Sequence, residues 1–141
     1  MTADAVMGHV RSHGGTEHWA THLRSAANEL VADEPTGGGG AGAGFTPFAL
    51  MLSGLAACTN ITLRMYADRK GWPLESVDVE CTMHRDDGDA ATDRIERVLT
   101  LAGGLDDEQR ARLADIAERT PVTLVVKRGT PVVTSLRSAE G

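Results

Sequence analysis

The stretch from Pro47 to Lys70 constrains this chain more than any other. Thr46 is a good helix N-cap, and proline suits the first helical position. Gly71 supplies a C-terminal stop, with Pro73 just beyond it. The 24 residues between these signals predict a helix about 36 Å long. Its first half is apolar on every side: Phe48, Ala49, Leu50, Met51, Leu52, Leu55, Ala56 and Ala57. A helix apolar all round is expected inside a core rather than on its surface. The second half turns amphipathic, with Arg64, Asp68, Arg69 and Lys70 outward. The uncharged run from Phe45 to Cys58 has 14 residues, short of the roughly 20 that span a bilayer. The expectation is therefore a core helix, with no membrane partner.

The rest of the chain must supply what packs on that helix. Residues 1–35 read as a β-meander, with Val6 to His13, Glu17 to Arg24 and Asn28 to Asp33 as short strands. Gly14-Gly15 and Ser25-Ala26-Ala27 separate them. Residues 36–44 are a glycine-rich loop that follows Pro35. The loop lacks the Gly-Lys-Ser/Thr ending of a nucleotide P-loop and reads as a mobile connection.

After the helix, Leu74 to Arg85 alternates. Val77, Val79, Cys81 and Met83 face one way; Asp78, Glu80, Thr82 and His84 face the other. Asp86 to Asp93 is a polar turn, and Arg94 to Ala102 completes a hairpin ended by Gly103-Gly104. Asp106 and Gln109 form a capping box for another helix. Leu113, Ile116, Ala117 and Thr120 make its inward stripe. Thr120-Pro121 then breaks or bends that helix, and Thr120 can cap a further short one. Val122 to Lys127 fits strand by its valines and helix by its position. Thr130 to Leu136 reads as a terminal strand. The order predicts a single α+β domain over 1–141, with antiparallel sheets packed on helices. Residues 45–137 form its helix–hairpin–helix–strand core.

Charge and sulfur narrow the function. The 141 residues carry 14 basic and 20 acidic groups, a formal net charge of -6. That balance argues against a nucleic-acid partner, because phosphate binding rests on clustered Lys and Arg. Met1 to Val10 contains Asp4 and has no basic region followed by an apolar one, so no export signal is read there. The expected compartment is the cytoplasm, where thiols stay reduced unless catalytic. Two cysteines are too few for a disulfide framework or a four-thiolate zinc site.

Cys58 stands in the middle of the long helix between Ala56-Ala57 and Thr59-Asn60. Met51, Leu55, Thr62 and Met65 share its face. Free cysteine is often simply packed; a reactive thiol needs a cation or a helix N-terminus to lower its pKa. Arg11, Arg24, Arg64 and Arg128 are the candidate cations. Cys81 points into the core by its period-two partners, and a Cys58–Cys81 disulfide remains open. His9, His13, His18, His22 and His84 show no metal-ligand spacing and read as surface histidines. No cofactor and no metal are expected.

The block Gly44-Phe45-Thr46-Pro47-Phe48-Ala49-Leu50-Met51-Leu52-Ser53-Gly54-Leu55-Ala56-Ala57-Cys58-Thr59 resembles the central helix of the OsmC/Ohr family. Leu63-Arg64-Met65-Tyr66-Ala67-Asp68-Arg69-Lys70-Gly71-Trp72-Pro73-Leu74 and Val77-Asp78-Val79 are similar to one OsmC-like branch. Leu105-Asp106 to Leu136 also matches, through the Thr-Pro step, Arg128-Gly129 and the last strand. The resemblance implies two sheets around two central helices in an intertwined homodimer. It also implies reduction of organic hydroperoxides by two cysteines. The first becomes a sulfenic acid and the second resolves it as a disulfide; an external thiol reductant restores the pair. Carried over by the resemblance, the peroxidatic position is Cys58. The family's second cysteine precedes a proline, where this chain has Thr120-Pro121-Val122. The family's glutamate after the helix-opening proline is also replaced, since Phe48, Ala49 and Leu50 follow Pro47. By the same resemblance the thiolate-activating arginine comes from the N-terminal strands, which points to Arg11 or Arg24. For Val122 to Lys127 it implies helix.

Three functions therefore stand open. One is a thiol-dependent peroxidase of oxidative stress defence that uses Cys58 alone. Another is a non-catalytic OsmC-like binder of a small apolar ligand. The last is a structural homodimer with an inert thiol.

Overall fold

The computed structural model of the chain describes residues 4–16 and 18–139. The chain forms two compact units divided between Ser53 and Gly54.

The first unit contains a three-stranded antiparallel meander, β1 (Arg11–His13), β2 (Thr21–Ser25) and β3 (Asn28–Ala32). Its strands are shorter than the sequence suggests, and the register explains why. Arg11 pairs with Arg24, and β2 ends one residue later at Ser25. Among the described residues no strand pairs with residues 4–10; the His9 carbonyl accepts instead from Ser25 Oγ at 2.8 Å. Val6, Met7 and Val10 lie exposed. Glu17, the expected start of the second strand, lies outside the described residues, as do Met1 to Ala3 of the segment read for export.

Asp33, expected to end the third strand, instead organises the glycine-rich loop. Its buried carboxylate accepts N–H bonds from Glu34 (2.8 Å), Ala41 (3.1 Å) and Ala43 (3.1 Å). Those bonds hold its pKa below the ordinary 3.8. A 3-10 turn covers Thr36–Gly38, and Ala32 bridges to Phe45 in parallel. The loop is therefore built around a carboxylate rather than being a featureless connection.

Helix α1 (Pro47–Lys70) has the predicted bounds. Ala49 N–H donates to Thr46 Oγ1 at 3.2 Å, which is the cap. Gly71 takes φ +70°, and Trp72 N–H closes on the Ala67 carbonyl at 2.9 Å. Burial departs from expectation. Only Leu55, Thr59, Leu63 and Ala67 are buried, one stripe at i+4 spacing. Phe48, Met51, Ile61 and Met65 are exposed. By length and composition α1 is long enough and apolar enough to cross a bilayer.

In the second unit, β4 (Leu74–His84) and β5 (Arg94–Gly103) form an antiparallel hairpin. Helix α2 (Asp107–Ala117) carries the Asp106/Gln109 capping box. Helix α3 (Pro121–Arg128) begins at the Thr120 cap, so Val122 to Lys127 is helical. Leu63, Val77, Leu113 and Ala117 make the buried core, with Leu99, Leu101 and Ile116 packed against it. The buried cluster is aliphatic, with Tyr66 and Trp72 also packed against it.

Thr130 to Leu136 does not form the expected strand. A strand needs a neighbour for its backbone groups, and among the described residues none pairs with this segment. Val132, Val133 and Leu136 stand almost fully exposed. The architecture is α+β with antiparallel sheets.

Candidate functional site

Cys58 lies one residue from the buried stripe of α1, which leaves it half-buried. Its Sγ stands 3.9 Å from Thr62 Oγ1, one helical turn on. Leu55 is buried and Met65 exposed, so the face shared by these residues runs from the core to open surface. The thiol is free, and so is that of Cys81. Cys81 faces inward on β4 and is half-buried. Burial pushes its pKa above the usual thiol value, with the nearby Arg97 pulling partly the other way. A thiol held protonated is a poor nucleophile.

The next residue on α1, Thr59, is fully buried. It leads to a group absent from the sequence-based candidates. Arg97 sits on β5 opposite Cys81, in the inward register with Ile95, Leu99 and Leu101. Its Nη1 donates to Thr59 Oγ1 on α1 (3.0 Å) and to Thr123 Oγ1 on α3 (2.9 Å). Its Nη2 donates to the Ala117 carbonyl (2.9 Å) and to the Glu118 carboxylate (2.8 Å) at the end of α2. A signal for it existed in the sequence: one arginine interrupts an otherwise apolar inward alternation.

Thr120 is 1% exposed. Its hydroxyl lies 2.6 Å from Thr123 Oγ1 and accepts from Thr123 N–H at 3.3 Å. Thr59, Arg97, Thr123 and Thr120 therefore form one continuous hydrogen-bond chain. The Thr120 hydroxyl is committed to capping α3. A hydroxyl cannot form a disulfide, so it cannot resolve a sulfenic acid.

The arginines singled out in the sequence have contacts of their own or lie on the meander. Arg24 pairs with Glu29 and faces Arg11 across the β1–β2 ladder; both belong to the first unit. Arg64 donates to Asn60 Oδ1 (2.8 Å) and Arg128 to the Leu124 carbonyl (3.2 Å). His9, His13, His18 and His22 are exposed, and His84 is partly covered. No group of three metal-ligating side chains occurs among the described residues.

Comparison with known proteins bears on the fold and the family. The structure is similar to the OsmC-like protein of Mycoplasma pneumoniae, with TM-score 0.74 at 19% identity over 86% of this chain and 88% of that one. It is also similar to the organic hydroperoxide resistance protein OsmC of Legionella pneumophila, with TM-score 0.65 at 22% identity over 90% and 93%. A third match is the organic hydroperoxide resistance protein OhrB of Bacillus subtilis, with TM-score 0.59 at 23% identity over 88% and 92%. No curated protein sequence matches. The family model for OsmC-like proteins matches residues 38–135, a span that holds α1 with Cys58, the hairpin with Arg97, and the Thr120 cap. By that match the chain is a member of the OsmC-like family.

Proposed function

We infer that this protein reduces organic hydroperoxides with Cys58 as its single redox-active cysteine. The observation that carries the reading is a free, half-buried thiol on α1 inside the stretch matched by the family model. Two of the similar structures bear the name organic hydroperoxide resistance protein. The Cys58 thiolate attacks the distal oxygen of the peroxide, the O–O bond breaks, and the alkoxide leaves as alcohol after taking a proton. Cys58 is left as sulfenic acid. An external thiol then attacks that sulfur and releases water, giving a mixed disulfide. A second external thiol displaces Cys58 and carries the disulfide away. Thr120 takes no part in these electron transfers; it occupies the second-cysteine position as a structural cap. Arg11 or Arg24 is the proposed thiolate-activating group. The protein works as a homodimer on small apolar hydroperoxides in the cytoplasm, where such reductants are supplied.

A second reading has its own support. The uncharged apolar run Phe48-Ala49-Leu50 after Pro47 also suits a non-catalytic binder of a small apolar ligand. Cumene hydroperoxide consumption with dithiothreitol separates the two, comparing the unsubstituted protein with Cys58→Ser and Cys81→Ser. Turnover lost in Cys58→Ser alone supports the peroxidase. Equal background rates in all three sink it in favour of the binder.

A further inference from the structure

The Arg97 guanidinium has four Nη hydrogens, and each has a separate acceptor on the surrounding helices. Two hydroxyls, one helix-end carbonyl and one carboxylate take them at 2.8–3.0 Å. The side chain is 12% exposed, whereas its charged partner, Glu118, is 59% exposed. The Thr59 hydroxyl donates to the Leu55 carbonyl at 2.7 Å, which leaves its lone pairs for Arg97. The guanidinium therefore grips the α1 turn that bears Cys58, and it grips the α2–α3 junction at the same time. A lysine in its place has one compact donor group and lacks the planar fork that reaches all four acceptors.

We propose that Arg97 is the positioning residue of this site: through Thr59 it fixes the helical turn that presents Cys58. The proposal rests on Cys58 being the peroxide-reactive thiol. Attack on an O–O bond needs the sulfur aligned with that bond. Misplacement by about 1 Å through a remote change costs on the order of 100-fold in such reactions. The clamp thus supplies alignment and touches no reacting atom.

The test is a double-mutant cycle in the full chain with Cys81→Ser, so that Cys58 is the sole thiol. Arg97→Met, Thr59→Val and their combination are compared for the second-order rate of peroxide consumption, with folding checked by circular dichroism. Arg94→Met, at an exposed ion pair with Asp86, is the control. Each clamp substitution is expected to lower the rate roughly tenfold or more, and the double variant to fall no further than Arg97→Met. Arg97→Lys is expected to recover part of the loss. A Thr59→Val protein as fast as its parent, or losses that multiply in the double variant, overturns the proposal, because Arg97 would then act on the fold alone. If Arg97→Met does not fold, Arg97→Lys replaces it in the cycle. The same cycle is read by N-ethylmaleimide labelling of Cys58, with mass spectrometric detection. If Cys58→Ser consumes peroxide as fast as its parent, the peroxidase reading falls, and the labelling cycle still decides the clamp. Coupled changes in labelling rate support it and independent ones overturn it.

Discussion

At the scale of single residues, the two free thiols sit in different surroundings. The place of Cys58 on α1 follows from the bounds of that helix, whereas its redox role is carried by the family resemblance and not by spacing. Arg97 was not singled out, because its contacts depend on which strand face meets the helices, although it interrupts the inward apolar alternation of β5. The two thiols should differ in a simple experiment. Burial raises the pKa of Cys81, so N-ethylmaleimide at mildly alkaline pH should label Cys58 first, as read by peptide mass spectrometry. Faster labelling of Cys81 would contradict its inward placement. Asp33 makes a prediction about pH. Its folded-state pKa is lowered, chiefly by the Ala43 N–H. Between that value and the ordinary 3.8 the unfolded chain binds the extra proton. The stabilisation is thus present above the ordinary value and is lost as pH falls through the folded one. Urea midpoints measured from neutral to acid pH should fall more steeply for the unsubstituted protein than for Asp33→Asn. Parallel curves would show that the Asp33 carboxylate is not coupled to folding.

Among the elements, those with local signals were readable and those defined by neighbours were not. The bounds of α1 follow from Thr46, Pro47 and Gly71, and the start of α3 from Thr120-Pro121. The hairpin follows from strict alternation. The failures were the ends of the meander strands and the segment after Arg128, since a strand exists only where another offers its backbone. The glycine-rich loop shows the same limit from the other side. Its composition suggested freedom, but Gly44 lies where an added Cβ would meet the Val31 carbonyl oxygen at 1.8 Å. That contact involves backbone on both sides and cannot be relieved by turning a side chain. Gly44→Ala should therefore destabilise by about 2 kcal/mol or more. Gly37→Ala, which meets nothing within 4 Å, should stay within about 0.5 kcal/mol. Equal chemical-denaturation midpoints for the two variants would show that β3 and the residue before Phe45 do not pack closely. At α3, Thr120→Ala should cost about 1 kcal/mol through the lost cap alone.

At the scale of the whole molecule, the exposed apolar surface demands a cover. A helix expected to be buried all round is buried along a single stripe. Ile61 and Met65 face outward on it, and Val132, Val133 and Leu136 project from a segment that pairs with nothing among the described residues. Burying each such side chain fully is worth about 1.5–3 kcal/mol, enough that an uncovered set is an association surface. The cover proposed is a second copy of the chain. A protein of 14.9 kDa should then sediment near twice that mass. Ile61→Glu with Met65→Glu should shift it toward the single-chain mass, because two buried carboxylates without partners oppose the contact strongly. The paired substitution sits on exposed positions of α1, so circular dichroism should still report a folded chain. A protein that sediments as one chain before substitution would remove the homodimer. Recovery with lipid vesicles instead would assign the uncovered face of α1 to a membrane, which its length and composition permit.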